Sequence, residues 1–263
     1  MFYDLSVTND VTGGVPNDVT GGVPNDVTGG VSGDGTGWGA RLAGDRALLD
    51  RGSTAERVAD ILRERITEGV FRPGTRLSEE SLRDALGISR NTLREAFRLL
   101  AHEGLLEHQL NRGVFVRLLT SADIRDLYAI RRILECGALR NLDAVPTPAV
   151  EGLKTAIDAA DEAAARADWS AVGTANMRFH QAIADLSGSR RVAESVRALL
   201  AELRLVFLVV ADPRQLHEPY VAGNRALYTL LAGGDVRGAE EALQRYFDEA
   251  EKQLLAAYAA VNA

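Results

Sequence analysis

The sequence predicts a mainly α protein, a small winged helix-turn-helix followed by an all-α bundle of six helices. Apolar residues recur at helical spacing from residue 53 onward, strand-like alternation is confined to residues 105–117, and Gly or Pro punctuates the pattern at short intervals. The expected division is a low-complexity tail over 1–50, a winged unit over 53–119 and an all-α unit over 120–263.

The first predicted helix opens at Ser53, with Glu56 at capping-box spacing, and buries Val58, Ile61, Leu62 and Ile66. Pro73-Gly74 turns the chain. A short second helix starts near Ser78, places Glu79 and Glu80 where the helix dipole favours acid, and buries Leu82, Ala85 and Leu86. Gly87 can take the left-handed conformation that ends it, and Ser89 can cap a third helix anchored by Leu93, Ala96, Phe97 and Leu100. Beyond Glu103-Gly104, strands over 105–109 and 114–117 flank Asn111-Arg112-Gly113 as a two-stranded wing.

The solvent side of the third helix begins with Ser89, Arg90, Asn91, Thr92 and Arg94. Arg pairs bidentately with guanine, Asn with adenine, Thr meets a thymine methyl or a phosphate, and a helix N-terminus favours phosphate. Taken alone, this stretch also fits an ordinary amphipathic surface helix; its flanking helices and wing make it a candidate DNA-reading helix. At the wing tip, Arg112 and Gly113 are candidates for phosphate or minor-groove contact, with a plain turn glycine as the alternative for Gly113.

Across about 65 residues the order and spacing resemble the GntR family of bacterial transcription regulators. The matching residues are Pro73-Gly74-Thr75-Arg76-Leu77-Ser78-Glu79, Leu82, Leu86-Gly87-Ile88-Ser89-Arg90, Leu93-Arg94-Glu95-Ala96, Leu99-Leu100, Glu103-Gly104-Leu105-Leu106 and Arg112-Gly113 with Val116. The resemblance implies that Arg90, Thr92, Arg94 and Gly113 contact operator DNA. It also implies a dimer reading an inverted repeat of double-stranded DNA. Two departures bear on base preference. Glu80-Ser81 stand where relatives often carry an Arg, and Asn91-Thr92-Leu93 replace a common Thr-Pro-Val, so the operator sequence does not transfer.

Composition sets the outer bounds. Over 263 residues, 46% hydrophobic content and a mean hydropathy of −0.08 suit a globular chain. No apolar run reaches the roughly 20 residues that span a bilayer, and the N-terminus lacks a signal-peptide pattern, so no membrane contact and a cytoplasmic location are expected. The lone Cys136 excludes an internal disulfide; beside Leu134 and Leu139 it reads as a buried thiol rather than a nucleophile. The net charge of −7 is uneven: residues 53–119 carry 11 Arg against 10 acids, while both flanks are net acidic. Phosphate contact depends on that local balance. Asn-Asp-Val-Thr-Gly-Gly-Val-Pro starts at Asn9, recurs at Asn17 and returns at Asn25 with Ser32 in place of Pro. Repeats this poor in apolar mass are expected to form no core. A start codon assigned too far upstream is the alternative account of them.

From Thr120 the predicted helices run over about 120–142, 149–167, 168–188, 190–211, 213–233 and 235 to the end. Such a bundle is large enough to enclose a pocket. Leu127-Tyr128, Ile130-Arg131, Leu134-Glu135, Phe179-His180, and Leu230 to Asp235 with Ala239 resemble the FCD domain of the FadR-like subgroup. That chain order argues against the GntR branches with a mostly β domain or an aminotransferase. Neither Lys154 nor Lys252 stands in a pyridoxal-phosphate setting.

By that resemblance, the positions of a divalent-metal site fall on Asn176, His180, Asn224 and Tyr246. Only His180 keeps a family ligand, so no metal cofactor is expected; the same four residues are implied to face a cavity and hydrogen-bond an organic effector. Arg131 and Glu135, four residues apart, fit an exposed salt bridge or, by resemblance, a pocket Arg that binds a carboxylate. Arg204, in an apolar helix, needs a partner or a route to water and is a further effector candidate.

No nucleophile, base and orienter stand at usable spacing, and no Gly-rich phosphate loop occurs, so catalysis is not expected. The function expected is a transcription regulator whose operator affinity responds to a small-molecule effector, a carboxylate, held in the C-terminal bundle. A ligand-independent regulator with a vestigial bundle is the alternative.

Overall fold

The computed structural model describes residues 53–210 and 212–261; the expected repeat tail lies outside the described residues. Helix α1 (Thr54–Thr67) opens on the Ser53–Glu56 capping box, α2 (Glu79–Leu86) ends at Gly87 with φ +66°, and α3 (Arg90–His102) follows. Val58, Leu62, Ile66, Leu82, Leu86, Leu93, Phe97 and Leu100 form the core beneath them, each almost fully buried.

The hairpin β2 (Leu106–Gln109) and β3 (Gly113–Val116) is antiparallel, with His108 opposite Val114. It gains a third strand that periodicity did not reveal, β1 (Arg76–Leu77), giving the order β1-β3-β2. Two residues are too short to show alternation. Only Leu77 points inward, and Val114 opposite it closes the core.

The bundle begins at a Thr120–Asp123 capping box with α4 (Ser121–Arg131), passes through a π-helical turn (Arg132–Cys136) and ends its first helix as α5 (Gly137–Arg140). The expectation of one regular helix here is corrected by that turn, which carries the buried Glu135 and Cys136. Helices α6 (Thr147–Ala165), α7 (Trp169–Asp185), α8 (Arg190–Phe207), α9 (Pro213–Ala232) and α10 (Val236–Val261) complete it. Helix α6 starts earlier than expected because Pro148 is tolerated in a first turn, where no helical N–H bond is lost. Burial raises the Cys136 thiol to about 11, as a structural cysteine requires.

Helix α8 joins the bundle to the winged domain. Its Glu202 accepts from Arg117, just after the wing, at 2.7 Å, and Arg117 also donates to Asp123 of the α4 capping box at 2.5 Å. Two residues on, Arg204 donates to the Thr67 carbonyl at 3.1 Å and to Ser170 Oγ at 2.9 Å. A guanidinium on the last carbonyls of α1 satisfies groups that a helix end leaves open and favours the negative end of its dipole.

Gly104, at the exit of α3, has φ +72°, and a Cβ there would sit 2.4 Å from the Glu202 carboxyl carbon. Gly104→Ala is therefore expected to lose about 1–2 kcal/mol from the left-handed backbone, with the Arg117–Glu202 pair displaced in addition. Urea unfolding followed by circular dichroism should show a lower midpoint at unchanged slope.

Candidate DNA-binding face and bundle cavity

Ser89 Oγ accepts from the Thr92 amide at 3.1 Å and lies 2.8 Å from the Thr92 hydroxyl, which sets the N-terminus of α3 and engages Thr92 locally. Arg90, Asn91 and Arg94 face solvent. Glu79, in the first turn of α2, holds the two arginines side by side, 3.3 Å from Arg94 Nε and 4.0 Å from Arg90 Nε. The side chains keep 64% and 62% of their surface for Arg90 and Arg94, so a phosphate or base edge can replace that one carboxylate.

On the wing, Asn111 has φ +59° and Gly113 φ +105°, and the Arg112 guanidinium lies 5.5 Å from the Phe115 ring centre. A Cβ on Gly113 would lie 3.4 Å from the Arg76 side chain. That is an ordinary contact distance, so the glycine is called for by its positive φ rather than by Arg76, which comes from the strand missed in the sequence. Between α3 and the wing runs an open groove of about 650 Å³ whose walls include Glu79, Arg94, Arg98, His108 and Leu110. Arg98 is paired within its own helix with Glu95, and Leu110 is 90% exposed at the tip. The sidewalls His108 and Leu110 carried no signal in the sequence, because the groove forms only once the hairpin folds against α3.

Inside the bundle, Arg131 and Glu135 are 2% and 0% exposed, which corrects the exposed-salt-bridge reading. Arg131 Nε donates to Glu135 Oε1 at 2.8 Å, and Glu135 Oε2 lies 2.7 Å from His180 Nδ1. Burial works against the Arg131 charge, and Glu135 together with Tyr128 and Tyr246 more than offsets it. Burial likewise raises Glu135, yet Arg131 and His180 hold it below the ordinary carboxylate range. Burial, assisted by Arg131, lowers His180, so its imidazole is neutral at neutral pH. Ionised Glu135 then takes the Nδ1 proton in a hydrogen bond, which leaves Nε2 as a bare acceptor. The guanidinium also lies 4.8 Å from the Phe247 ring centre and 5.5 Å from that of Tyr128.

The four positions implied by resemblance do converge. Asn176 Oδ1 accepts from Asn224 Nδ2 at 2.7 Å and from the Tyr246 hydroxyl at 2.9 Å, and Tyr246 lies edge-on to His180 with ring centres 5.1 Å apart. Arg204 is not among them; it faces the winged domain. Arg131 Nη2, His180 Nε2 and Asn224 Oδ1 are buried without a protein partner. Arg131 and His180 border a small cavity of about 20 Å³, whose other walls are Tyr128, Asn176, Phe207, Leu216, His217, Tyr220, Tyr246 and Ala250. That is room for about one water, smaller than the pocket expected, because the aromatic side chains of five helices meet there. Tyr128, Phe207, His217 and Tyr220 were not foreseen: each reads as ordinary core when seen on its own helix.

This donor set does not fit a divalent metal. The Asn176 oxygen is already committed to two hydrogen bonds, Asn224 and Tyr246 offer neutral groups, and the one imidazole stands alone. Among the described residues no cluster of three or more His, Cys, Asp or Glu is placed to hold a metal. Protein purified without chelator is expected to carry far less than one equivalent of zinc, nickel or manganese by elemental analysis.

His217 packs so closely on Gly173 that a Cβ there would sit 2.5 Å from Nε2, and burial with help from Arg204 lowers its pKa to about 4. In the unfolded chain it titrates near the ordinary histidine value of about 6.5. The unfolded state therefore binds the extra proton between the two values, and stability falls as pH drops from about 6.5 to about 4, by on the order of 3 kcal/mol. Urea titrations across that range should show the loss, and His217→Asn should flatten it.

Comparison with known proteins places these features in context. Residues 54–116 match the family of bacterial regulatory proteins, gntR family, and residues 126–249 match the FCD domain. The crystal structure of a transcriptional regulator GntR from Rhodococcus sp. RHA1 superposes with a TM-score of 0.74 at 44% identity, covering 79% of this chain and all of that one. The HTH-type transcriptional regulator YdhC of Bacillus subtilis is 30% identical over 133 residues, 50% of this chain and 59% of that protein. A D-xylose utilization operon transcriptional repressor of Paenarthrobacter nicotinovorans is 27% identical over 75% of this chain and 87% of its own.

Proposed function

The chain belongs to the gntR family of bacterial regulatory proteins as a DNA-binding transcriptional regulator with an FCD domain, and from that premise we propose that a small carboxylate controls its hold on DNA. The observation that carries this reading is the buried Arg131, held charged by Glu135 with Nη2 left unpaired beside the cavity. A carboxylate is the complement of that nitrogen. The bare His180 Nε2 complements a hydroxyl donor on the same molecule, and the bare Asn224 Oδ1, whose amide is tied through Nδ2 to Asn176, complements a second donor. Asn176 and Tyr246 complete the effector site, and widening it requires the aromatic walls to move.

Operator binding is assigned to a cytoplasmic homodimer whose two α3 helices enter successive major grooves of an inverted repeat. Ser89, Arg90, Asn91, Thr92 and Arg94 supply the reading edge, and Arg112 and Gly113 the wing contact. Helix α8 supplies the coupling, since Phe207 borders the cavity while Glu202 and Arg204, within two turns, grip the winged domain. A ligand that displaces Phe207 shifts that grip and, through it, the spacing of the two reading helices, in the direction of repression or release according to which state binds tighter. Among the described residues no helix is long and apolar enough to cross a membrane.

The small volume of the cavity favours a second reading, in which the bundle only dimerises and no ligand acts. The two separate cleanly. A screen of small carboxylates is expected to yield one that raises the melting temperature by about 5 °C or more when present at 100 times its Kd. Asn224→Leu, which removes an unpaired buried oxygen, should fold and lose that response. No stabilising carboxylate would favour the ligand-free reading. Arg90→Ala is expected to weaken specific binding to an operator near the protein's own gene by about 1–3 kcal/mol in gel shifts; unchanged affinity would contradict the assignment of α3.

A further inference from the structure

Two hollows meet at a pair of tyrosines. The inner cavity and an open surface groove of about 430 Å³ between α9 and α10 share Tyr220 and Tyr246 as walls. Their ring centres are 4.9 Å apart, so the two side chains together are the partition.

The partition stands against a weak place in α9. Pro219 lies inside this helix and has no amide hydrogen, so the Gln215 carbonyl four residues earlier has no helical donor. Gln253 of α10 supplies one, donating Nε2 to the Gln215 oxygen at 2.7 Å, and its Oε1 accepts from the Tyr220 hydroxyl. One residue thus ties the broken turn and one tyrosine to α10. A turn beyond Pro219, Gly223 leaves α9 without a side chain where a Cβ would lie 3.2 Å from the Tyr246 ring. Tyr246 is fixed from the inside by Asn176.

We propose that this groove is the route by which the effector reaches the cavity, with Tyr220 and Tyr246 as its gate and Gln253 as the latch. The inference rests on the carboxylate reading above for what passes, but the gate itself does not need the ligand to be known. Helix α9 can open there because Pro219 has already removed one of its hydrogen bonds, and releasing Gln253 frees the Gln215 carbonyl and Tyr220 together. On release, Tyr220 can swing into the surface groove it already borders, while Tyr246 keeps its place on Asn176.

The gate is tested with Ala250→Cys, which puts a thiol on the inner cavity wall, in the full-length protein. Methyl methanethiosulfonate is added, and mass spectrometry of peptides follows position 250 and the native Cys136, which is buried outside the cavity. In the otherwise native chain the new thiol should react slowly. Adding Gln253→Ala should speed it by about tenfold or more, the scale of two lost hydrogen bonds, with Cys136 unchanged. Equal acceleration at Cys136 would mean general loosening and would overturn the gate. So would an unchanged rate at position 250, or faster labelling with Phe207→Ala and not with Gln253→Ala. A carboxylate screen without hits, by contrast, would remove the passenger and leave the labelling result standing.

Discussion

The bundle is organised around a charge that it has taken out of water. A guanidinium as buried as that of Arg131 is tolerable only with an acid and further polar contacts at hand, because the cost of desolvating an isolated ion is several kcal/mol. Glu135, His180, two aromatic faces and the π-helical turn are arranged around that requirement. The arrangement meets it only in part. Glu135 has both oxygens engaged, yet one nitrogen of Arg131 and one of His180 have no protein partner. Both residues border the same small cavity, where the proposed carboxylate would pair with those atoms.

The same bundle reaches the DNA-binding domain through α8. Glu202 and Arg204 make charged contacts to two parts of the winged domain, one just after the wing and one at the C-terminus of α1. Neither contact is large, but both start from a helix whose next turn ends in Phe207 at the cavity wall. Helix α7 is tied in as well, since Ser170 shares Arg204 with Thr67 while Asn176 and His180 lie farther along the same helix. Helices α7 and α8 thus each carry residues at the cavity wall and residues in the contact with the winged domain, which is the physical path the proposed coupling would use.

Much of this was legible in the sequence where the physics is local. The Ser53–Glu56 box, the Gly87 stop, the Ser89 cap and the helix breaks at Gly188 and Gly233-Gly234 are decided by residues within a turn of each other, and each stands where the pattern put it. The convergence of Asn176, His180, Asn224 and Tyr246 came from family resemblance, since nothing in their spacing shows that three helices bring them together. What escaped was set by distant partners. A spacing of four from Arg131 to Glu135 looks the same whether the pair is exposed or buried. Strand β1 needed β3 to exist. Arg204 plainly required a partner, but a carbonyl at the end of a helix 137 residues away leaves no local mark. The aromatic filling of the cavity likewise depends on five helices at once.

The link between cavity and DNA is tested most directly by measuring operator affinity, by fluorescence anisotropy, with and without a carboxylate that raises the melting temperature. The native protein and Arg204→Gln are compared. If α8 carries the coupling, the ligand changes operator affinity in the native protein, binds Arg204→Gln with similar Kd, and there changes operator affinity little. An operator response that survives intact in Arg204→Gln would contradict a coupling through α8.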